Sequence, residues 1–241
     1  MSKTLRAVVT GAASGIGKAV YEAFQKQDYE VLGVDINPQQ NIIVADLSTS
    51  AGRKLAYEGA IKQLGGIDIL VNAAGIFMST PINASGMADF QKVLSINLEA
   101  PIELSALAFE SMKTQSFGRI VNITSIHSQY AKADCLAYDV SKAGLEAATR
   151  SMAVTGAAFG VLANAIAPGY VRTAMSLNQD GVDESDTAEF AKDYIASGRL
   201  PLGRAATAQE IAEAVCWLAG STNTYITGQV LIADGGLSAT F

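Results

Sequence analysis

Seven short runs rich in valine, isoleucine and alanine recur along the chain, at 5–10, 30–35, 41–46, 67–72, 119–125, 162–167 and 229–234. Most are separated by longer stretches with helical periodicity, such as GKAVYEAFQKQ and AQEIAEAVCWLAG. This alternation predicts a parallel sheet with helices on both faces. Strands covered on both sides need near-continuous apolar runs. A chain that is 49% hydrophobic and 17% charged can supply them. No linker, repeat or low-complexity tract interrupts residues 1–241, which read as a single α/β domain around a seven-stranded parallel sheet. One gap breaks the pattern. Between Asp35 and Asn41 lie only INPQQ, too few residues for a crossover helix, so a bare loop is expected there. The least regular stretch, about 173–200, is polar and acidic, and reads as a lid over a binding site.

Several classes of function are disfavoured. The net charge is −6 with no basic cluster, which argues against nucleic-acid and anionic-membrane partners. Residues 151–171 carry no charge, yet Asn164, Pro168 and three glycines divide them into helix, turn, strand and loop rather than a membrane span. The apolar part of the opening segment is too short for a secretion signal. Cys135 and Cys216 lie 81 residues apart, and His127 is the only histidine, so no metal site is expected. Reduced thiols in a cytoplasmic protein fit this usage.

The turn TGAASGIG follows the first strand and opens the first helix, with Gly11, Gly15 and Gly17 spaced G-x-x-x-G-x-G. Without Cβ atoms its backbone N–H groups can approach a pyrophosphate, and the helix N-terminus adds about half a positive charge. Asp35 ends the second strand, 18 residues after Gly17. A carboxylate there accepts hydrogen bonds from a ribose diol and repels a 2′-phosphate, and neither Ala13 nor Ser14 offers a compensating charge. NAD is therefore expected over NADP.

A third feature lies in AYDVSKAG, where Tyr138 and Lys142 stand one helical turn apart. Together with TGAASGIG, NAAG at 72–75, Ser125, APGYVRT at 167–173, PLGR and ITGQVLIADGG, this segment resembles the short-chain dehydrogenase/reductase family, near its 3-oxoacyl reductase and alcohol dehydrogenase-like branch. The resemblance implies a Rossmann fold and an NAD-dependent enzyme interconverting secondary alcohols and ketones. It implies that Tyr138 is the acid/base, Lys142 its partner, Ser125 the hydroxyl binding the substrate oxygen, and Asn97 the holder of a water in a proton relay. Gly11, Ser14, Gly15, Ile16, Gly17 and Asp35 would bind the cofactor. Asp46 and Leu47 would sit by the adenine, Asn72, Ala73 and Gly75 would line the groove, and Val171 and Thr173 would hold the carboxamide. The family also implies a homotetramer built through helices around 98–115 and 135–159.

The physical reading of the Tyr/Lys pair follows. A free tyrosine has a pKa near 10, and moving it to about 7 takes about 4 kcal/mol of preferential stabilisation of the phenolate. An ammonium about 4 Å away supplies that at an effective dielectric near 20. Substrate identity rests on the pocket lining, for which Phe77, His127, Tyr130, Tyr170 and Met175 are candidates, with His127 placed to hydrogen-bond a substrate hydroxyl or carboxylate. A small polar or cyclic alcohol, polyol, dihydrodiol or hydroxy acid is expected. Six acids between 180 and 193 disfavour a highly anionic substrate. The alternatives are a 3-oxoacyl-acyl-carrier-protein reductase and a non-catalytic NAD sensor.

Overall fold

The β-branched runs form one seven-stranded, all-parallel sheet in the computed structural model, which describes residues 4–83 and 86–240. Strands β1 (Arg6–Thr10), β2 (Glu30–Asp35), β3 (Ile42–Val44), β4 (Ile69–Asn72), β5 (Gly118–Ile123) and β6 (Val161–Pro168) come first. A separate two-stranded piece, β7 (Val171–Arg172) and β8 (Ala206–Thr207), was not anticipated; β9 (Val230–Ala233) then returns to the main sheet. The order is β3-β2-β1-β4-β5-β6-β9, a Rossmann-type arrangement that reverses direction between β1 and β4.

The short 36–40 link holds no helix, as its length requires. Register explains why a loop suffices: β3 begins opposite Gly33, so the chain steps back only two residues from the end of β2 before pairing again. Crossover helices elsewhere are α1 (Gly15–Lys26), α2 (Ser50–Leu64), α3 (Met87–Leu94), α4 (Ala100–Gln115), α5 (Leu136–Gly156), the single turn α6 (Ala188–Phe190) and α7 (Ala208–Ala219). Local chemistry sets several of their ends. Thr207 and Glu210 form the reciprocal capping box that T-x-x-E predicts, and Gly65 closes α2 in the left-handed conformation.

The pleat divides β1 between two cores. Ala7 and Val9 pack with Val20 and Phe24 of α1 and Ile211, Val215 and Leu218 of α7. Val8 faces the other layer, with Ala56 and Ala60 of α2 and Leu104, Ala108 and Met112 of α4. Among the described residues no helix is long and apolar enough to cross a membrane.

Between α3 and α4 the chain makes a π-helical turn, Ser95–Glu99, with Asn97 fully buried at its centre. Buried Arg53 of α2 holds this turn, donating to the Ser95 carbonyl at 2.8 Å and pairing with Glu99 at 3.3 Å. The same guanidinium donates to the carbonyls of Leu47 at 2.8 Å and Ser48 at 3.3 Å, so one side chain ties the loop after β3 to the turn that carries Asn97.

Candidate active site

The strand order reverses beside the carboxyl end of β1, and the glycine turn lies there. Gly11 has φ +68°, and a Cβ on it would meet Ala74 Cα and N at 2.9 Å. Gly15 is also left-handed, and a Cβ on Gly17 would lie 2.2 Å from the Gly11 carbonyl oxygen. The turn is thus folded against the NAAG segment and the start of α1. Thr10 fixes that contact, its hydroxyl accepting the Ala73 and Ala74 N–H groups at 3.0 Å. Thr173 reaches the same turn, its Cγ2 standing 3.4 Å from where a Gly15 Cβ would be.

Asp35 is buried at the end of β2. One carboxylate oxygen accepts the Ala13 N–H at 3.0 Å, and the other accepts the Asn37 N–H at 2.9 Å. It therefore braces the glycine turn. The Asn37 side-chain amide also donates to Oδ1, at 3.3 Å, so Oδ2 is the oxygen that keeps lone-pair capacity for a further donor. Asp46 is exposed and lies below the usual carboxylate range because Ser48 donates to it, whereas Leu47 is buried. Asn72 is turned into the core: its amide donates to Ser105 at 3.1 Å and Asn122 at 2.8 Å, while its buried Oδ1 has no partner among the described residues.

Tyr138 sits in the first turn of α5, a helix with no side-chain cap of its own. Thr80 supplies one from a distant segment, its hydroxyl accepting the Ala137 N–H at 2.9 Å. The Tyr138 ring is flanked edge-on by Phe77 at 5.6 Å and His127 at 5.5 Å between centroids, and Lys142 Nζ lies 5.4 Å from its centre. Lys142 is buried and donates to the Ile123 carbonyl at 2.8 Å. Ser125, at the end of β5, accepts the His127 N–H at 3.2 Å and hydrogen-bonds Tyr138. Asn97 is held at both ends by Ile76, whose N–H and carbonyl each lie 2.8 Å from its amide. A Cβ on Gly75 would lie 3.4 Å from Asn97 Oδ1 and 3.7 Å from Lys142 Nζ, so glycine there keeps open the space they share.

In the protein without cofactor, these surroundings work against a tyrosine brought near 7 by its lysine. Burial pushes Tyr138 up to about 12, only partly opposed by the Ser125 hydrogen bond. Burial also pulls Lys142 down to about 8. The same desolvation that would strengthen their attraction penalises both charges, and from the protein's own groups alone the penalty wins. A test follows for protein stripped of cofactor. Lys142 titrates near 8 when folded and at its ordinary 10.5 when unfolded, so between these values the unfolded chain binds more protons and stability rises with pH. The unfolding free energy of wild type relative to Lys142→Met should rise by about 2 kcal/mol from pH 8 to pH 10. A difference that stays constant in denaturant titrations would show an unperturbed lysine.

Of the other candidates, Tyr130 is exposed and reaches the Ser238 carbonyl at 3.3 Å. Met175 is exposed as well. Tyr170 meets Phe190 and Tyr194 edge to face, with centroids 4.8 and 4.9 Å away, anchoring the 173–200 segment. Two of that segment's six acids are paired with cations, and a third is hydrogen-bonded to serines. Asp186 pairs with Arg172 at 2.9 Å, Glu184 with Lys132 at 3.2 Å, and Asp183 accepts from Ser176 and Ser185. The acidic charge available to repel an anionic substrate is therefore smaller by these two pairs.

The structure also gathers an imidazole nitrogen of His127, Cys135 Sγ and an Asp139 oxygen within 4.8 Å of one another, a grouping the low cysteine and histidine content had argued against. His127 Nδ1 and Asp139 Oδ1 share a hydrogen bond of 2.6 Å. That is closer than two donors of one tetrahedral ion, each about 2.0–2.2 Å from the metal, stand from one another.

Residues 11–238 match the family model described as Enoyl-(Acyl carrier protein) reductase. An acetoacetyl-CoA reductase of Allochromatium vinosum is 31% identical over 249 residues, covering 96% of this chain and 97% of its own. The aldohexose dehydrogenase of Thermoplasma acidophilum superposes with a TM-score of 0.89 at 27% identity, over 99% of this chain and 96% of that one. A gluconate 5-dehydrogenase from Burkholderia cenocepacia, solved with NADP and tartrate, gives a TM-score of 0.89 at 27% identity over 100% and 97%.

Proposed function

The chain belongs to the short-chain dehydrogenase/reductase family, oxidoreductases acting on alcohol- and ketone-type substrates with a nicotinamide cofactor, and on that premise we propose that it is an NAD-dependent dehydrogenase/reductase for small polar or cyclic secondary alcohols and their ketones. The observation that carries this reading is the meeting of Tyr138, Ser125 and Lys142 beside the glycine turn. The residues fit the cofactor: side chains at Gly11 and Gly17 would strike the backbone of Ala74 and of the turn itself, so this tight turn needs glycine at both, Asp35 stands at the end of β2, and Thr173 lies over Gly15. Gly11, Ser14, Gly15, Ile16 and Gly17 would hold the pyrophosphate, Asp35 the ribose, Asp46 and Leu47 the adenine side, and Ala73, Gly75, Val171 and Thr173 the nicotinamide side. Asn72 enters this set through its backbone. When bound, the cofactor takes hydride from the carbinol carbon or returns it.

The chain's own groups move the proton. Ser125 Oγ already accepts the His127 N–H, which leaves its own proton for the substrate oxygen or the Tyr138 oxygen. Tyr138 is a phenol at neutral pH and gives its proton to a forming alkoxide. In alcohol oxidation it must take a proton, and the Lys142 charge together with the N-terminus of α5 favours the phenolate that does so. Asn97 Oδ1 and Lys142 Nζ both lie close to Gly75, and that proton is exchanged on this side of the site. The 173–200 segment is the lid over the substrate.

The cofactor choice rests on Asp35 and on the lack of any lysine or arginine from 27 to 52. Wild type should favour NAD over NADP in kcat/KM, and Asp35→Ser should move that ratio toward NADP by about tenfold or more, since a carboxylate facing a phosphate is strongly unfavourable. An unchanged ratio in the variant would mean that Asp35 serves only to brace the turn. A second reading is a 3-oxoacyl thioester reductase, favoured by the acetoacetyl-CoA reductase relative and by the internal pairing of the lid acids. Acetoacetyl-CoA reduced far faster than any small ketone would select it. We place the protein in the cytoplasm as a homotetramer, with Ile102 of α4 and Val140 and Val154 of α5 on its covered faces. Sedimentation at micromolar concentration should show particles near four times 25.1 kDa, and monomers alone would exclude the tetramer.

A further inference from the structure

We propose that His127, pinned by Asp139, forms a second substrate-binding point beside Tyr138 that accepts a hydrogen bond from a hydroxyl on the neighbouring carbon, so that the site selects vicinal diols over simple alcohols and hydroxy acids. The proposal rests on the oxidoreductase reading for the placement of the reacting oxygen at Tyr138 and Ser125. Its own support is the geometry of the histidine.

His127 Nδ1 lies 2.6 Å from Asp139 Oδ1. A carboxylate only accepts hydrogen bonds, so the shared proton resides on Nδ1. In the neutral ring Nε2 is then an acceptor, and this assignment follows from the partner rather than from the ring itself. Asp139 is well placed to enforce it. It lies in the first turn of α5, next to Tyr138 in sequence, while His127 follows Ser125 by two residues on the facing 3-10 turn Ile126–Ser128. The His127 backbone N–H is engaged by Ser125 Oγ at 3.2 Å, so main chain and ring are both fixed.

The rings of His127 and Tyr138 meet edge to face with centroids 5.5 Å apart. An oxygen held by Tyr138 and Ser125 therefore has the imidazole on one flank. Two oxygens on adjacent carbons are themselves about a hydrogen-bond length apart, which matches two binding points on touching rings. An Nε2 lone pair accepts a hydroxyl proton, and the Asp139 carboxylate behind the ring disfavours a second carboxylate close by. Half-exposed Phe77, edge-on to Tyr138 at 5.6 Å, offers an apolar surface for the carbon skeleton. A cyclic or sugar-like vicinal diol meets all three demands. Asp139 is in this account a positioning residue that acts through His127.

The test is calorimetric titration of NADH-loaded protein with trans-1,2-cyclohexanediol, cyclohexanol and 3-hydroxybutyrate, using wild type, His127→Phe and Asp139→Ala. Wild type should bind the diol about tenfold more tightly than cyclohexanol, the worth of one well-placed hydrogen bond, and more tightly than the hydroxy acid. In His127→Phe the diol-to-cyclohexanol ratio should fall to about one, and in Asp139→Ala it should fall to an intermediate value. Thermal unfolding of each variant is run alongside, so that a preference lost through misfolding is recognised. A wild-type ratio near one, a ratio unchanged in His127→Phe, or tighter binding of 3-hydroxybutyrate overturns the proposal. A diol preference without oxidation of any alcohol in a parallel absorbance assay would sink the oxidoreductase reading and leave the binding point standing.

Discussion

Replacing Tyr138 by phenylalanine should lower kcat by about 10²–10⁴-fold while leaving cofactor affinity within a few-fold of wild type. The substitution removes one hydroxyl and keeps the ring. Contacts with Phe77 and His127 and the position of Lys142 beside the ring are made by carbon atoms that phenylalanine retains. What disappears is the only group on this side chain able to exchange a proton with a substrate oxygen, together with its hydrogen bond to Ser125. The magnitude follows from losing positioned proton transfer while Ser125 still binds the oxygen. Steady-state rates with saturating cofactor, paired with fluorescence titration by NADH, separate the two effects. A variant retaining kcat within threefold of wild type would mean that the proton travels by another route.

Alanine at Gly17 should act at the opposite end of the site and through the fold. The added Cβ would lie 2.2 Å from the Gly11 carbonyl oxygen, and the next nearest atoms, Gly11 C at 2.6 Å and Thr10 O at 2.8 Å, are backbone too. No flexible side chain can move aside. The helix must back away from the turn, or the turn must open, and either displaces the N–H groups meant for a pyrophosphate. Overpacking of this sort costs about 1–3 kcal/mol, which for a chain of this size lowers Tm by about 2–12 °C. Cofactor binding should weaken by more than about tenfold, because both the N–H geometry and the helix terminus move. Differential scanning fluorimetry with and without NADH reads both, since a bound cofactor raises Tm in wild type. An unaltered cofactor-induced shift would show that the turn has another role.

The sheet was legible because covered parallel strands leave continuous apolar runs, and the observed bounds differ from those runs by one or two residues. The weakest prediction was β3, expected at 41–46 and found at Ile42–Val44, since an edge strand of three residues leaves little pattern. The missing helix after Asp35 was readable from length alone. Spacing placed Tyr138 and Lys142 on one helical face, but spacing carries no information about depth, and without cofactor burial opposes the expected shift of the tyrosine. The π-helical turn at 95–99 left no mark because one extra residue in a helix barely disturbs its periodicity. Nothing in the sequence singles out Arg53, whose reach to Ser95 and Glu99 depends on how α2 packs against the turn before α4. Thr80 caps α5 from 57 residues away, and Asp139 sits beside Tyr138 with no sequence sign that it faces His127. The acids at 184 and 186 were counted as free charge although Lys132 and Arg172 lay elsewhere in the sequence to meet them.

The most direct test is formation of reduced cofactor, read at 340 nm, when purified protein is mixed with NAD or NADP and a panel of cyclic and linear secondary alcohols, vicinal diols, polyols and hydroxy acids. The reverse reaction is followed with the matching ketones and acetoacetyl-CoA. The account predicts turnover with NAD, weaker turnover with NADP, and a best substrate among the small polar or cyclic alcohols. Tight NAD binding with no hydride transfer to or from any member of the panel would contradict it, and would point instead to a nucleotide-binding protein that no longer performs the chemistry.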